Sequence, residues 1–149
     1  MKVKYVEAAA LCHATEDEAK VSQALTFLTG SKKVLRDALA GVYGEPITLM
    51  KVVEKGPAAE QIYWRIISDT SNREKILDNL DMRLEGWRLH VRLDKQGLVK
   101  GEVSVASGDN TVKVVIGAGG KAEKGLDAKT FFFRTLVGQE VSHVEGGRA

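Results

Sequence analysis

An α+β fold is predicted: two layers, a mostly antiparallel sheet with helices packed on one face, and a flexible C-terminal extension. Residues 87–94 alternate strictly between apolar and polar side chains, and in residues 111–116 Val112, Val114 and Ile116 alternate with Thr111, Lys113 and Val115, as half-buried strands do. Helix-period runs with polar N-terminal caps lie between the extended segments. The resulting order of strand, helix, strand, paired helices and three-strand meander places antiparallel neighbours together and collects the helices on one side. A chain of 149 residues, 44% hydrophobic and 28% charged, suits one domain with a core of useful size.

The first strand spans residues 3–13. Val6, Ala8, Ala10 and Cys12 form one face, and Tyr5, Ala9 and Leu11 the other. With both faces apolar or small, it reads as a central strand covered on both sides or nearly so. Thr15 and Glu18 form a capping box, and Glu16 and Asp17 suit the positive end of a helix dipole. The helix runs to about Thr29, burying Val21, Ala24, Leu25 and Leu28, and Gly30 stops it.

Residues 31–41 fit either a short helix or a strand bordered by loop. Gly44-Glu45-Pro46 is a turn before an extended run at residues 47–53. Pro57 opens a second helix carrying Ala59, Ile62, Tyr63 and Ile66. Ser71 and Glu74 form another capping box, ahead of Ile76, Leu77, Leu80 and Leu84. Strands are then expected at residues 87–95, 98–106 and 111–116, the last two joined by the turn Ser107-Gly108-Asp109-Asn110.

Residues 1–116 read as the main domain. Residues 117–149 read as a glycine hinge, a helix near residues 128–137 and a loose tail, appended to the same domain. Phe131, Phe132 and Phe133 cannot share one helical face, so at least one is expected to meet a partner or a wide groove.

Function is most legible between Gly86 and Gln96. Trp87, Leu89, Val91 and Leu93 point to the packed side, and Arg88, His90, Arg92 and Asp94 to the other. Two arginines flanking a histidine present a row of donors suited to phosphate oxygens. Between Arg83 and Lys100, five basic residues face two acidic ones, so this segment carries more positive charge than the chain's net +2.

Other chemistries find little support. Gly117-Ala118-Gly119-Gly120-Lys121 has Val115 and Ala122 where a phosphate loop needs glycine and Ser or Thr. His13, His90 and His143 are far apart, and Cys12 has no second cysteine, so neither a metal site nor an internal disulfide is expected. Capping explains Glu16-Asp17-Glu18 without a metal. Nucleophile signatures are absent, and Asp94 and Lys95 point apart on a strand, which makes a poor acid–base pair. No enzyme and no cofactor are expected. With no membrane segment or signal segment, the expected location is cytoplasmic, with Cys12 a buried thiol.

Three motifs together resemble a known family: His13-Ala14-Thr15-Glu16-Asp17, Gly44-Glu45-Pro46-Ile47, and Arg92-Leu93-Asp94-Lys95-Gln96. They are similar in order and spacing, from about Tyr5 to Ile116, to an archaeal family of RNA-binding proteins described as predicted exosome subunits. The resemblance implies a fold like a double-stranded-RNA-binding domain or the ribosomal protein that holds 5S RNA. The chain departs from it with Gly97-Leu98 after the third motif, and the segment after Gly117 has no counterpart.

The expected function is a non-catalytic RNA-binding accessory factor in archaeal RNA processing or turnover, associated with the exosome or other RNA-processing proteins. Arg88, His90, Arg92, Lys95 and Lys100 are the expected RNA contacts, reading backbone and shape rather than stacking bases. Asp94 and Gln96 are expected to orient the site, Asp94 by bonding a basic neighbour. Two alternatives stay open. The arginines could pair with carboxylates on neighbouring strands, such as Glu102, or the chain could be a scaffold subunit binding protein through its sheet edge and phenylalanine cluster.

Overall fold

The computed structural model describes residues 1–120 and 125–146. Its elements run β1 (Lys2–His13), α1 (Glu18–Thr29), β2 (Leu35–Ala40), β3 (Pro46–Lys55), α2 (Pro57–Ile67), α3 (Thr70–Asp78), α4 (Leu80–Arg83), β4 (Leu84–Glu85), β5 (Arg88–Asp94), α5 (Lys95–Val99), β6 (Thr111–Gly119) and α6 (Ala128–Gly146). The strands form one antiparallel sheet of order β2-β3-β1-β6-β5-β4. The predicted α+β class is the observed one.

β1 is central, between β3 and β6, but the expected cover on both faces is corrected. Val6, Ala8, Ala10 and Cys12 are buried beneath the helices, whereas Glu7 and Ala9 are half-buried and Leu11 is exposed. Among the described residues the helical layer therefore covers one face only. α1 buries Val21, Ala24, Leu25 and Leu28 as expected, and Gly30 ends it in the left-handed region (φ 75°). Its N-cap is Asp17, which accepts from the Ala19 N–H at 2.9 Å, and not Thr15. A turn displaces the start: the Glu16 N–H bonds the His13 carbonyl at 2.9 Å, and the Glu16 carboxylate takes the His13 N–H at 3.1 Å. Likewise α3 is capped by Asp69, accepting from Asn72 N–H at 3.0 Å, and not by Ser71.

Residues 35–40 resolve as the edge strand β2, exposed along its whole length. The expected strand at residues 98–106 is not formed. Asp94 instead caps α5 by accepting from the Gly97 N–H at 3.1 Å. Gly101, at φ 84°, ends that turn, and the chain returns beside the end of β5 through a single bridge between Leu93 and Val105. Buried Asn72 substitutes for a missing neighbouring strand. Its amide donates to the Ile66 and Val103 carbonyls and its oxygen accepts from the Val105 N–H, each at 2.9 Å. Valine alternation at residues 99, 103 and 105 therefore reports burial, not sheet pairing.

Lys95 is a second buried tie. Its side chain is 3% exposed, and the ammonium donates to the Leu11 carbonyl at 2.8 Å and to Glu16 at 3.0 Å. The β1–α1 turn is thus fixed to the end of β5, strands that are otherwise separated by β6. Burial opposes ionisation of Glu16, but the His13 N–H and the Lys95 ammonium outweigh it and hold the carboxyl below its ordinary value.

The expected hinge at residues 117–120 is also corrected, because Gly117 and Gly119 belong to β6 and pair with β1. Gly117 lies under the Tyr5 ring, which leaves no room for a Cβ. In α6, Phe132 is buried edge-on to Tyr63 (centroids 6.1 Å apart), Phe131 meets Trp87, and Phe133 stays exposed, so the three do diverge. The C-terminal part of the expected tail, residues 147–149, lies outside the described residues.

Asp17→Ala should cost about 1 kcal/mol in chemical denaturation while Thr15→Ala stays near zero. Asn72→Ala should cost about 2–3 kcal/mol, because three backbone groups lose their partner. Glu16→Gln should cost about 2 kcal/mol at neutral pH. Because the carboxyl value is lowered on folding, the Glu16 contribution is complete above the ordinary glutamate range and disappears as pH falls through the lowered value. The gap between native protein and Glu16→Gln in pH-dependent unfolding should close there.

Candidate functional site

The antiparallel register assigns the uncovered face residue by residue. Across β1, β6 and β5 it aligns Glu7, Val115 and His90 in one row, and Ala9, Lys113 and Arg92 in the next. On the other side of β1, Leu11 sits opposite Leu49 and Ala9 opposite Lys51. The open face is thus cationic across β6 and β5, and mixed toward β3 and β2, where Leu35, Leu39 and Val53 are exposed and Lys51 pairs with Glu7 at 3.3 Å.

Arg88, His90 and Arg92 share this face, as the alternation predicted. Two of them meet a local carboxylate: Glu85 lies 3.6 Å from Arg88 and 3.3 Å from His90. Arg92 has no carboxylate partner among the described residues and donates to the Gly108 carbonyl at 2.9 Å, which ties it to the β5–β6 connection. Glu102, the expected quencher of these arginines, pairs with none of them.

The other expected contacts lie elsewhere. Lys95 is buried on Glu16, so its ammonium is not presented to solvent. Asp94 caps α5, and among the described residues it pairs with no basic side chain. Gln96 is exposed on the first turn of α5. Lys100 follows α5, which packs on α1 in the helical layer, away from the arginine row.

Lys113 is the residue that sequence reading missed. It is exposed, has no ion-pair partner among the described residues, and stands directly across from Arg92. Like charges opposite one another on adjacent strands destabilise a sheet, and an anion bridging them removes that cost. A strand expected at residues 98–106 would have separated the two, so their adjacency was not visible beforehand. Arg92, Lys113 and Ala9 also line two adjoining concavities. The larger, about 690 Å³, adds Glu7, His90, Arg83 and Asn79. The smaller, about 430 Å³, adds Leu11, Leu49, His13, Thr111 and Asp109. Burial lowers the Arg83 value, and its guanidinium donates to Asn79 at 2.6 Å. No group of metal-ligating side chains occurs among the described residues, and no described helix is long and apolar enough to cross a membrane.

This open face, with its unquenched cations, lies within the part of the chain that known proteins share. An uncharacterized protein of Methanocaldococcus jannaschii is 34% identical over 120 residues, covering 74% of this chain and 80% of its own length. Among solved structures, a DUF54 protein of Archaeglobus fulgidus is 27% identical with a TM-score of 0.73, covering 91% of this chain and 99% of its own. A DUF54 protein of Methanothermobacter thermautotrophicus is 21% identical, with a TM-score of 0.77 and the same coverages, a likeness of fold. The model of the RNA_binding family, described as RNA binding, matches residues 5–118, and the chain belongs to that archaeal RNA-binding family.

Proposed function

We propose that this protein binds RNA without catalysing a reaction on it, and that the phosphate backbone crosses the open sheet face over Arg92 and Lys113. The observation that carries this reading is the cross-strand pair of cations with no carboxylate partner among the described residues. Arg92 offers forked donors and Lys113 a mobile point charge, a combination that holds phosphates without reading sequence. Arg88 and His90 extend the track toward Glu85, which attenuates them. Lys100 and Gln96 lie off this path, and Lys95 and Asp94 support it through the fold. The family membership supports RNA as the partner. A role as an accessory factor in RNA processing or turnover beside the exosome, in the cytoplasm, is part of the same proposal.

A second reading, as a scaffold subunit, is favoured by one feature. Phe133 is exposed beside a groove formed by Leu77, Leu80, Met82 and Lys129, a place for a protein partner. The two readings separate experimentally. Arg92→Ala with Lys113→Ala should weaken binding to many RNA sequences alike. It should also lower the slope of log affinity against log salt by about 1.5–2. The scaffold reading expects RNA binding, if any, to be unaffected, and Phe133→Ala to release a protein.

A further inference from the structure

We propose that the smaller concavity on the open face receives one unpaired nucleobase of the RNA whose phosphates rest on Arg92 and Lys113. This rests on the RNA-binding reading above and adds what the site selects. The hollow exists because Ala9, a single methyl, sits between larger open-face neighbours on three strands, with Lys51 across on β3 and Lys113 across on β6. Leu11 and Leu49, opposite each other on β1 and β3, make an aliphatic platform beside it. His13 at the end of β1 supplies an imidazole, and Thr111 and Asp109 supply polar groups at the far wall.

These parts match a base and not merely an anion. A base presents an apolar face that packs on leucine and imidazole, and an edge of N–H donors that a carboxylate accepts. About 430 Å³ is the scale of a small-ligand site. Asp109 makes no hydrogen bond or ion pair among the described residues, and it stands in the same hollow as Arg92 and Lys113. A carboxylate beside two phosphate-binding cations is counterproductive if phosphate is the whole ligand. It is useful if the ligand also has donors to satisfy. The loop is held by Arg92 on the Gly108 carbonyl and by the Thr111 hydroxyl on the same carbonyl, each at 2.9 Å, so Asp109 projects from a fixed turn. A base enters only when it is neither paired nor stacked in a helix, which directs the site to single-stranded or bulged RNA over continuous duplex. Recognition by backbone shape alone, expected from the scarcity of aromatics on β5, is thereby extended to one base.

The test compares binding of a single strand of about 12 nucleotides, within the range of roughly 4–16 nucleotides that OB-fold single-strand binders cover, with a blunt duplex of equal length. The proteins are the native chain, Ala9→Leu and Asp109→Ala. The native protein should prefer the single strand. Ala9→Leu fills the hollow and should lose about tenfold more on the single strand than on the duplex, the scale of one stacked base. Asp109→Ala, a loop change that does not threaten the sheet, should weaken the single strand and strengthen the duplex. Should Ala9→Leu fail to fold, the Asp109 result decides alone. Equal gains on both RNAs in Asp109→Ala, or a native preference for duplex, would overturn the base pocket and leave phosphate binding standing. Failure of the native protein to bind either RNA would overturn the RNA reading and the pocket with it.

Discussion

Burial of the sheet on one face only is the constraint from which the other properties follow. The strands β1, β3, β5 and β6 send alternate residues into the helical layer, and Leu89, Val91 and Leu93 thereby fix β5 while Val112, Val114 and Ile116 fix β6. A slip of one residue in either strand would exchange core for surface. The register that buries these aliphatic residues is the same register that sets Arg92 across from Lys113. The cations are therefore adjacent because the core demands it, and their mutual repulsion is carried by the stability of the packed side. An anionic partner relieves that repulsion, so binding and folding favour the same strand alignment.

Two buried polar ties protect that alignment where the sheet is irregular. Lys95 joins the β1–α1 turn to the end of β5 through Glu16 and the Leu11 carbonyl. Asn72 holds the returning segment at Val103 and Val105. Both hold segments that border the site: Leu11 and His13 on one side, Arg92 and the Gly108 turn on the other. The motifs His13 to Asp17 and Arg92 to Gln96, separate in sequence, are one contact in space. Their family resemblance is thereby given a physical basis in the fold, with Arg92 turned to the open face and Lys95 turned inward.

Helix faces and β5 were legible in the sequence because each is a local pattern. The buried set of α1, the proline start of α2 and the polar row of Arg88, His90 and Arg92 depend on spacing within one element. Competition between neighbouring caps was less legible, and Asp17 and Asp69 displaced Thr15 and Ser71 once the preceding turns were formed. Residues 98–106 misled because a valine-rich segment against a core alternates whether or not it pairs. That error hid the β5–β6 adjacency and with it Lys113. The smaller hollow was illegible for a related reason. Ala9, Leu49, Arg92 and Asp109 come from four segments, and only the assembled register brings them together.

The proposed binding places RNA on the uncovered face of the sheet. Methyl resonances followed by NMR during titration with a short RNA address it directly, because the two faces carry distinct methyl groups. RNA bound there should shift Ala9, Leu11, Leu49, Thr111 and Val115, with Val21, Leu25, Ile62 and Ile66 in the helical layer unchanged. Shifts concentrated in the helical layer, or beside Phe133 and Met82, with the open-face methyls unmoved, would contradict it.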